Sequence, residues 1–419
     1  MEGITHVPLL ILGGGISGMG AGFKAHGQGQ DFLLLEAAPK LGGCLRSVHK
    51  GGHTLDIGAN SCAISDDFEY FLGQLGLEHK ILKATALSKK RYLFQDGKVV
   101  SVGGLKDIFG ASWLSPKGKW RFATEPFRTK GNPGDESVAS FLSRRIGAEA
   151  TKKLVDPVLG GIYAGNIDYL SAATVLEKFK KGEQENGSML RTLFKDPPKP
   201  RKIISVEGGF SSIGAAFASK FSDKIQVNAQ VERIEKTETG FLIETNNGKF
   251  SCEQLVSTLP AHALANLFEG ALQTHLLQLK YEALTVSHFS EKRNDNAPDG
   301  FGILVPSSSK MRVKGVLFTS SVFEGRAPEG TRNMTVFHKT SDEQDIQEEL
   351  VKILGDGHRA LLHSFTWKQA IPQPHIGFAL WREELMTLLP EGMQLAGNFL
   401  GKVGVADAFA SGYDLNFRP

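Results

Sequence analysis

The chain has 419 residues, 41% hydrophobic and 22% charged, and 48 Lys+Arg against 45 Asp+Glu leave a net charge of +3. That is enough for two or three domains with their own cores, and so small a net charge gives no argument for a nucleic-acid partner, so none is expected. Three scattered cysteines, Cys44, Cys62 and Cys252, exclude a disulfide framework or a zinc site, fit a reducing compartment and leave no metal expected.

The first predicted element is a buried parallel strand at 7–12 (VPLLIL). It is too short for a secretory leader and runs straight into a glycine motif, and no later run approaches the ~18 apolar residues of a membrane span. The motif is Gly13-Gly14-Gly15-Ile16-Ser17-Gly18, followed by a helix over 19–26 and a second strand over 31–35 closed by Glu36. Gly13 permits the tight turn, Gly15 lets backbone approach a pyrophosphate, and Gly18 lets helix and strand pack. The helix N-terminus offers unpaired N–H groups to phosphates, and Glu36, with Ala37 beside it, is placed for a ribose. This order predicts a dinucleotide. A second glycine pair, Gly42-Gly43, with Cys44 and Arg46 after it, suits the extended FAD better than a nicotinamide nucleotide.

Farther on, 68–75 reads as an amphipathic helix, and 88–100 as a hairpin turning at Asp96-Gly97, with Arg91 at a strand start. From 104 the composition changes. Ile108, Phe109, Trp113, Leu114, Trp120, Phe122 and Phe127 alternate with Lys106, Lys117, Lys119, Arg121, Arg128 and Lys130. Two readings stand open here: a membrane interface, or a helical unit packing its own aromatics. A helix starts at 135–137 and a second runs towards 158, ending in Gly160-Gly161-Ile162-Tyr163-Ala164-Gly165, and a stiff linker at 195–200 closes the stretch. Strands are expected at 203–206, 225–227, 231–234, 241–245, 249–252 and 255–259, with a helix at 213–221; the segment ending at Val231 is expected by an adenine. Residues 261–384 carry little periodic signature and are read as a substrate domain. At the end, a strand at 393–398 and a glycine-rich turn at 401–404 open a last helix, whose N–H groups suit the electron-rich N1/O2 edge of a flavin.

The expected fold is α/β: a Rossmann-type FAD-binding domain in three parts (1–83, 201–260, 385–419), a mixed α+β substrate domain (84–90, 261–384) and a helical insertion (91–200). No Ser/His/Asp, Cys/His or paired-carboxylate constellation is evident, and His262, His288, His338 and His375 read as packed or surface histidines.

Several separated stretches resemble one family. Residues 156–166 (DPVLGGIYAGN) are similar to the P-x-x-x-G-I-Y-A-G-D segment of protoporphyrinogen oxidases, within the flavin amine oxidase superfamily. Residues 90–92 (KRY), 301–306 (FGILVP), 315–321 (GVLFTSS), 325–328 (GRAP) and 370–377 (AIPQPHIG) resemble further segments of that family. The resemblance implies that Arg91 pairs with a porphyrinogen propionate and that Leu304, Leu317 and Phe337 sandwich the macrocycle beside a loop containing Gly165. It implies that Asn398, Val403, Gly404 and Val405 contact FAD and that the insertion associates with a membrane. The reaction implied is oxidation of protoporphyrinogen IX to protoporphyrin IX, with dioxygen as acceptor and an N–H of the substrate itself supplying the proton, so that no catalytic side chain is required. Coproporphyrinogen III oxidation is the alternative, and a non-catalytic FAD-containing porphyrin carrier a further one. The expected setting is cytoplasmic, peripheral on a membrane face, with hand-over to a ferrochelatase. Departures are Asn166 for the family's aspartate, His338-Lys339 where glycines are common, and a short loop between Leu304 and Leu317.

Overall fold

Four consecutive residues with no exposed surface, Leu9 to Leu12, end the central strand β1 (Ile4–Leu12) of the computed structural model. The structure describes residues 3–103, 110, 113–197, 201–294, 297–339 and 342–417. Lys106, Ile108, Phe109 and the 198–200 end of the expected linker lie outside the described residues. Helix α1 (Ile16–Gly27) and strand β2 (Phe32–Leu35) follow β1 as expected. β2 pairs parallel along one edge of β1 and strand Gly248–Ser257 along the other. Ile225–Gln226 adds to β2, while Phe241–Thr245 and Val231–Lys236 form an antiparallel meander on the far side. The sequence suggested two strands, 249–252 and 255–259. One strand forms because β1 pairs with its whole length, from Ile4 opposite Lys249 to Leu12 opposite Ser257.

The two ends of the chain meet on this sheet. α1 packs on the last helix, Val405–Tyr413, so closely that a Cβ on Gly412 would stand 1.9 Å from the Ser17 carbonyl oxygen. Strand Ile203–Val206 leaves the main sheet and pairs antiparallel with Cys62–Ala63 and Ile81–Lys83.

A second sheet, seven strands among the described residues, runs in the order Ala360–Pro372, Tyr281–Lys292, Thr331–His338, Val313–Leu317, Gly302–Leu304, Arg91–Gln95, Lys98–Ser101. The weak periodicity of 261–384 has a physical cause: Leu284 to Phe289 are all buried, so both faces of that strand are covered and polar residues need not alternate. The boundary expected at 91 moves. The hairpin turns at Asp96-Gly97 as foreseen, but Arg91 pairs with Gly302, so Arg91–Ser101 belongs to this sheet and not to the helical insertion.

The helical unit packs Leu114, Phe122, Phe141, Leu142 and Leu159 inside. Its aromatic stretch divides between the two open readings. Phe122 is buried, whereas Trp120 and Phe127 are 70% and 83% exposed. A buried ionic group holds the unit together: Arg145 bonds Glu125, and its Nη1 lies 3.2 Å from Glu183 Oε1.

Candidate active site

Gly13 to Gly18 cross from β1 to α1 with backbone in close contact throughout. The Gly13 N–H donates to the Leu35 carbonyl at 2.8 Å, and a Cβ on Gly18 would stand 1.9 Å from the Gly13 oxygen. The second glycine pair folds onto the first: Gly42 N–H donates to the Gly14 carbonyl at 2.8 Å, and a Cβ on Gly43 would lie 3.1 Å from the Gly15 Cα. Glu36 turns its carboxylate inward, accepting from the N–H groups of Gly14 at 2.7 Å and Ala38 at 2.8 Å. It thereby fixes the loop that a nucleotide would meet, and Ala37 beside it is exposed. Asn228 and Ala229 donate back to Ala38 and Glu36, which brings the segment leading into Val231 to the same place.

This cradle fits a dinucleotide. No side chain caps α1, its first turn holds no acid, and Gly15 has only the Gly43 Cα within 4.0 Å of its missing Cβ. The N–H groups of Ile16, Ser17 and Gly18 are therefore left to an anion. Ser17 contributes backbone only. Its hydroxyl donates to the Ala408 carbonyl at 2.7 Å and ties the two helices together.

Beyond the glycine pair, Arg46 donates from Nε to the Gly43 carbonyl and lies over the Trp367 ring, which itself donates to the Ile57 carbonyl at 2.7 Å. Cys44 is exposed, yet burial pushes its thiol pKa up while Arg46 opposes the shift. Asn398, Val403, Gly404 and Val405 come from the chain's other end, between strand Met393–Leu395 and the last helix. That helix has no cap at Gly404, but Asp407 in its first turn lies against Gly404, its Oδ2 2.6 Å from a Cβ built there. The positive end expected to face a flavin is thus partly answered by a carboxylate.

The expected substrate residues come together through strand register. Side chains of directly paired residues share a face. Arg91, Gly302, Leu317, Thr335 and His288 form one row across five strands; Leu93, Leu304, Gly315, Phe337, Val286 and Phe365 form the next. Arg91, Leu304, Leu317 and Phe337 therefore project from one face. The opposite face is filled by Ile303, Val316 and Val336 against helix Glu343–Leu354. Arg91 is exposed and lies over the Phe301 ring at 5.2 Å. Helix Asp156–Tyr163 leans on this face: a Cβ on Gly161 would stand 2.8 Å from Leu304 Cδ2. Gly165 follows Ala164, whose φ is 51°, and is held by Gln373, which donates to the Tyr163 carbonyl at 2.8 Å.

Sequence reading missed Trp367, Phe365 and Gln373, which lie in the strand Ala360–Pro372 or directly after it and carry no motif. It also missed four cations. A cleft of about 610 Å³ beside Arg91 is lined by Lys83, Lys89, Arg201 and Lys202 as well. Their spacing in the chain gave no sign; the pairing of Ile81–Lys83 with Ile203–Val206 brings them together. A buried pair lies nearby and ties the hairpin of Ser47–Lys50 and His53–Asp56 to the loop before Thr331–His338: Arg326 Nη1 lies 2.9 Å from Asp56 Oδ2, while Asp56 Oδ1 accepts from Ser47 Oγ and the Phe210 N–H.

A nucleotide cradle to which both ends of the chain contribute, together with a sheet face carrying Leu304, Leu317 and Phe337, defines an FAD-dependent oxidoreductase. Comparison with known proteins agrees: the profile of flavin-containing amine oxidoreductases matches residues 16–414, and the chain belongs to that family. Protoporphyrinogen oxidase 2 of Arabidopsis thaliana is 26% identical over 98% of this chain and 93% of its own. Coproporphyrinogen III oxidase of Bacillus subtilis is 24% identical over 98% and 97%. A crystal structure from Exiguobacterium sp. 255-15, put forward as a protoporphyrinogen oxidase, superposes with a TM-score of 0.84 at 20% identity, covering 98% of each chain.

Proposed function

We propose that this protein oxidises a propionate-bearing porphyrinogen, protoporphyrinogen IX, to the corresponding porphyrin, removing six electrons in three two-electron turns with dioxygen as terminal acceptor. The observation that carries the reading is the single sheet face on which Leu304, Leu317 and Phe337 lie beside one exposed arginine, Arg91. Such a face receives a flat apolar ring and anchors a carboxylate at its rim. The printed names of the Arabidopsis and Bacillus relatives support the same ring chemistry.

Bound FAD supplies a group that accepts a hydride. The chain's own residues bind, orient and keep the ring dry. In the two rows of paired residues, the first of which continues to His363 opposite His288, the titratable side chains are Arg91, His288 and His363. Burial together with the neighbouring His363 lowers the His288 pKa to about 3, so it stays neutral. No side chain there is set up as a strong base, which suits a substrate that gives up its own N–H proton once its reacting carbon is positioned. Coproporphyrinogen III, with four propionates, is the second reading, because the five-cation cleft can also receive its carboxylates.

The protein would work at the cytoplasmic face of a membrane and pass its product to a ferrochelatase. Trp120, Phe127 and Phe194, 70%, 83% and 73% exposed, stand on elements of the helical unit among basic residues, as an interfacial surface requires. Among the described residues no helix is long and apolar enough to cross a membrane. The test of the activity is aerobic incubation of the yellow holoprotein with each porphyrinogen. Porphyrin fluorescence rising faster than in a heat-inactivated control, and faster from protoporphyrinogen than from coproporphyrinogen, is expected; rates no faster than the control with both would refute the activity, and a faster rate from coproporphyrinogen would favour the second reading.

A further inference from the structure

The cleft beside Arg91 gathers five cations from separate stretches and, among the described residues, has no carboxylate in its lining. Lys83 pairs with Ile204 across a strand ladder, and Ala84 donates to the Ile203 carbonyl at 2.9 Å, which sets Lys83 beside Arg201 and Lys202. Lys89 ends the short turn Ala86–Lys89 and Arg91 begins the next strand. Among the described residues no carboxylate lies within 4.0 Å of Lys83, Lys89 or Arg91. Arg201 and Lys202 have one distant partner each outside the lining, Asp407 at 3.8 Å and Glu69 at 3.6 Å. Like charges held together without counter-charge repel, and an anionic occupant relieves the repulsion. The cleft also borders the substrate face, with Arg91 belonging to both. Its wall residues Ala84 and Ile203 pack in one cluster with Leu317, Phe301 and Phe337. Arg91 lies in the same row as Leu317, so a ring seated on Leu317 and Phe337 would turn one rim towards the cations.

We propose that Lys83, Lys89, Arg201 and Lys202 form, with Arg91, a two-carboxylate subsite that takes both propionates of one edge of the macrocycle, so that the ring enters with its propionates first. This rests on the porphyrinogen reading above. One arginine makes one bidentate pair; a cleft with five cations has charge and room for two carboxylates. The subsite then reads the number of carboxylates on the leading edge.

The test compares protoporphyrinogen IX with its monomethyl and dimethyl esters on the FAD-loaded enzyme, at low and high salt, in wild type, Lys89→Gln and Arg201→Gln. Each cation is exposed, so each lost pair is expected to raise KM by about threefold, with the loss on KM more than on kcat. Esterification should raise KM stepwise, the variants should lose part of that sensitivity, and salt should weaken it. A monoester used as well as the diacid, or a KM unmoved in both variants, overturns the subsite. Fluorescence titration of the same holoproteins with protoporphyrin IX and its esters separates the two ideas. Salt- and ester-sensitive binding without turnover sinks the proposed activity and keeps the cleft; turnover indifferent to the cations does the reverse.

Discussion

The nucleotide cradle and the substrate face are built by opposite means. The cradle is mostly main chain: Gly18 stands against the Gly13 carbonyl, Gly42 donates to Gly14 and Gly43 lies against Gly15, while the Leu41 and Glu36 side chains close the space beside Gly14. The substrate face is side chains alone, one or two from each of several strands that lie between residues 91 and 365 of the chain. The contrast teaches that a site made of main chain tolerates almost no substitution. A site made of register tolerates single changes but depends on the whole sheet.

The largest effect should break the cradle. Gly18→Ala places a methyl 1.9 Å from the Gly13 carbonyl oxygen, a clash with backbone that no rotamer relieves. Purified protein should carry no flavin, read as the ratio of 450 nm to 280 nm absorbance; a fully yellow variant would refute the close packing. Next, Arg326→Leu removes one partner of the buried pair that ties the hairpin ending at Asp56 to the loop before Thr331–His338 and leaves Asp56 uncompensated. A loss of about 3–5 kcal/mol in urea unfolding is expected, and Asp56→Asn added to it should recover part of the loss. A change below 1 kcal/mol would mean the hairpin and the loop are not locked there.

A smaller, pH-dependent effect belongs to the substrate sheet. His288 is held near pKa 3 in the folded state against an ordinary 6.5, mainly by burial, with His363 and Arg326 adding to it. The unfolded chain therefore binds the proton first, and the stability His288 contributes is complete above pH 6.5 and is lost as pH falls from 6.5 towards 3. The urea midpoint of wild type should fall more steeply over that window than that of His288→Gln; equal slopes would contradict the burial. Smallest is the surface of the helical unit. Trp120→Ala with Phe127→Ala should shift stability by less than about 0.5 kcal/mol per site while lowering co-sedimentation with anionic vesicles. Unchanged sedimentation would count against a membrane-facing role.

Much of the cradle could be read in advance because its information is local: Glu36 follows Gly18 within one βαβ unit, and the turn residues sit where a strand must become a helix. Even there, the motif says nothing of where the Ser17 hydroxyl goes; it bonds Ala408, because a helix from the far end of the chain covers that side. Arg91, Leu304, Leu317 and Phe337 could be named only through resemblance to a family. The hairpin that carries Arg91 was assigned to the wrong unit because an amphipathic hairpin does not announce its partner strand.

The amino-acid order by itself determined the glycine turns, the acid that braces them and the helices beginning and ending the chain, since these follow from short-range sterics and backbone hydrogen bonding. Only the tertiary structure decided that Lys83, Lys89 and Arg91 meet Arg201 and Lys202, that Asp56 finds Arg326, and that Trp367 lies beneath Arg46. Those contacts join residues tens to hundreds of positions apart. They depend on which strand pairs with which, a choice made by the burial of whole sheets and written in no single segment.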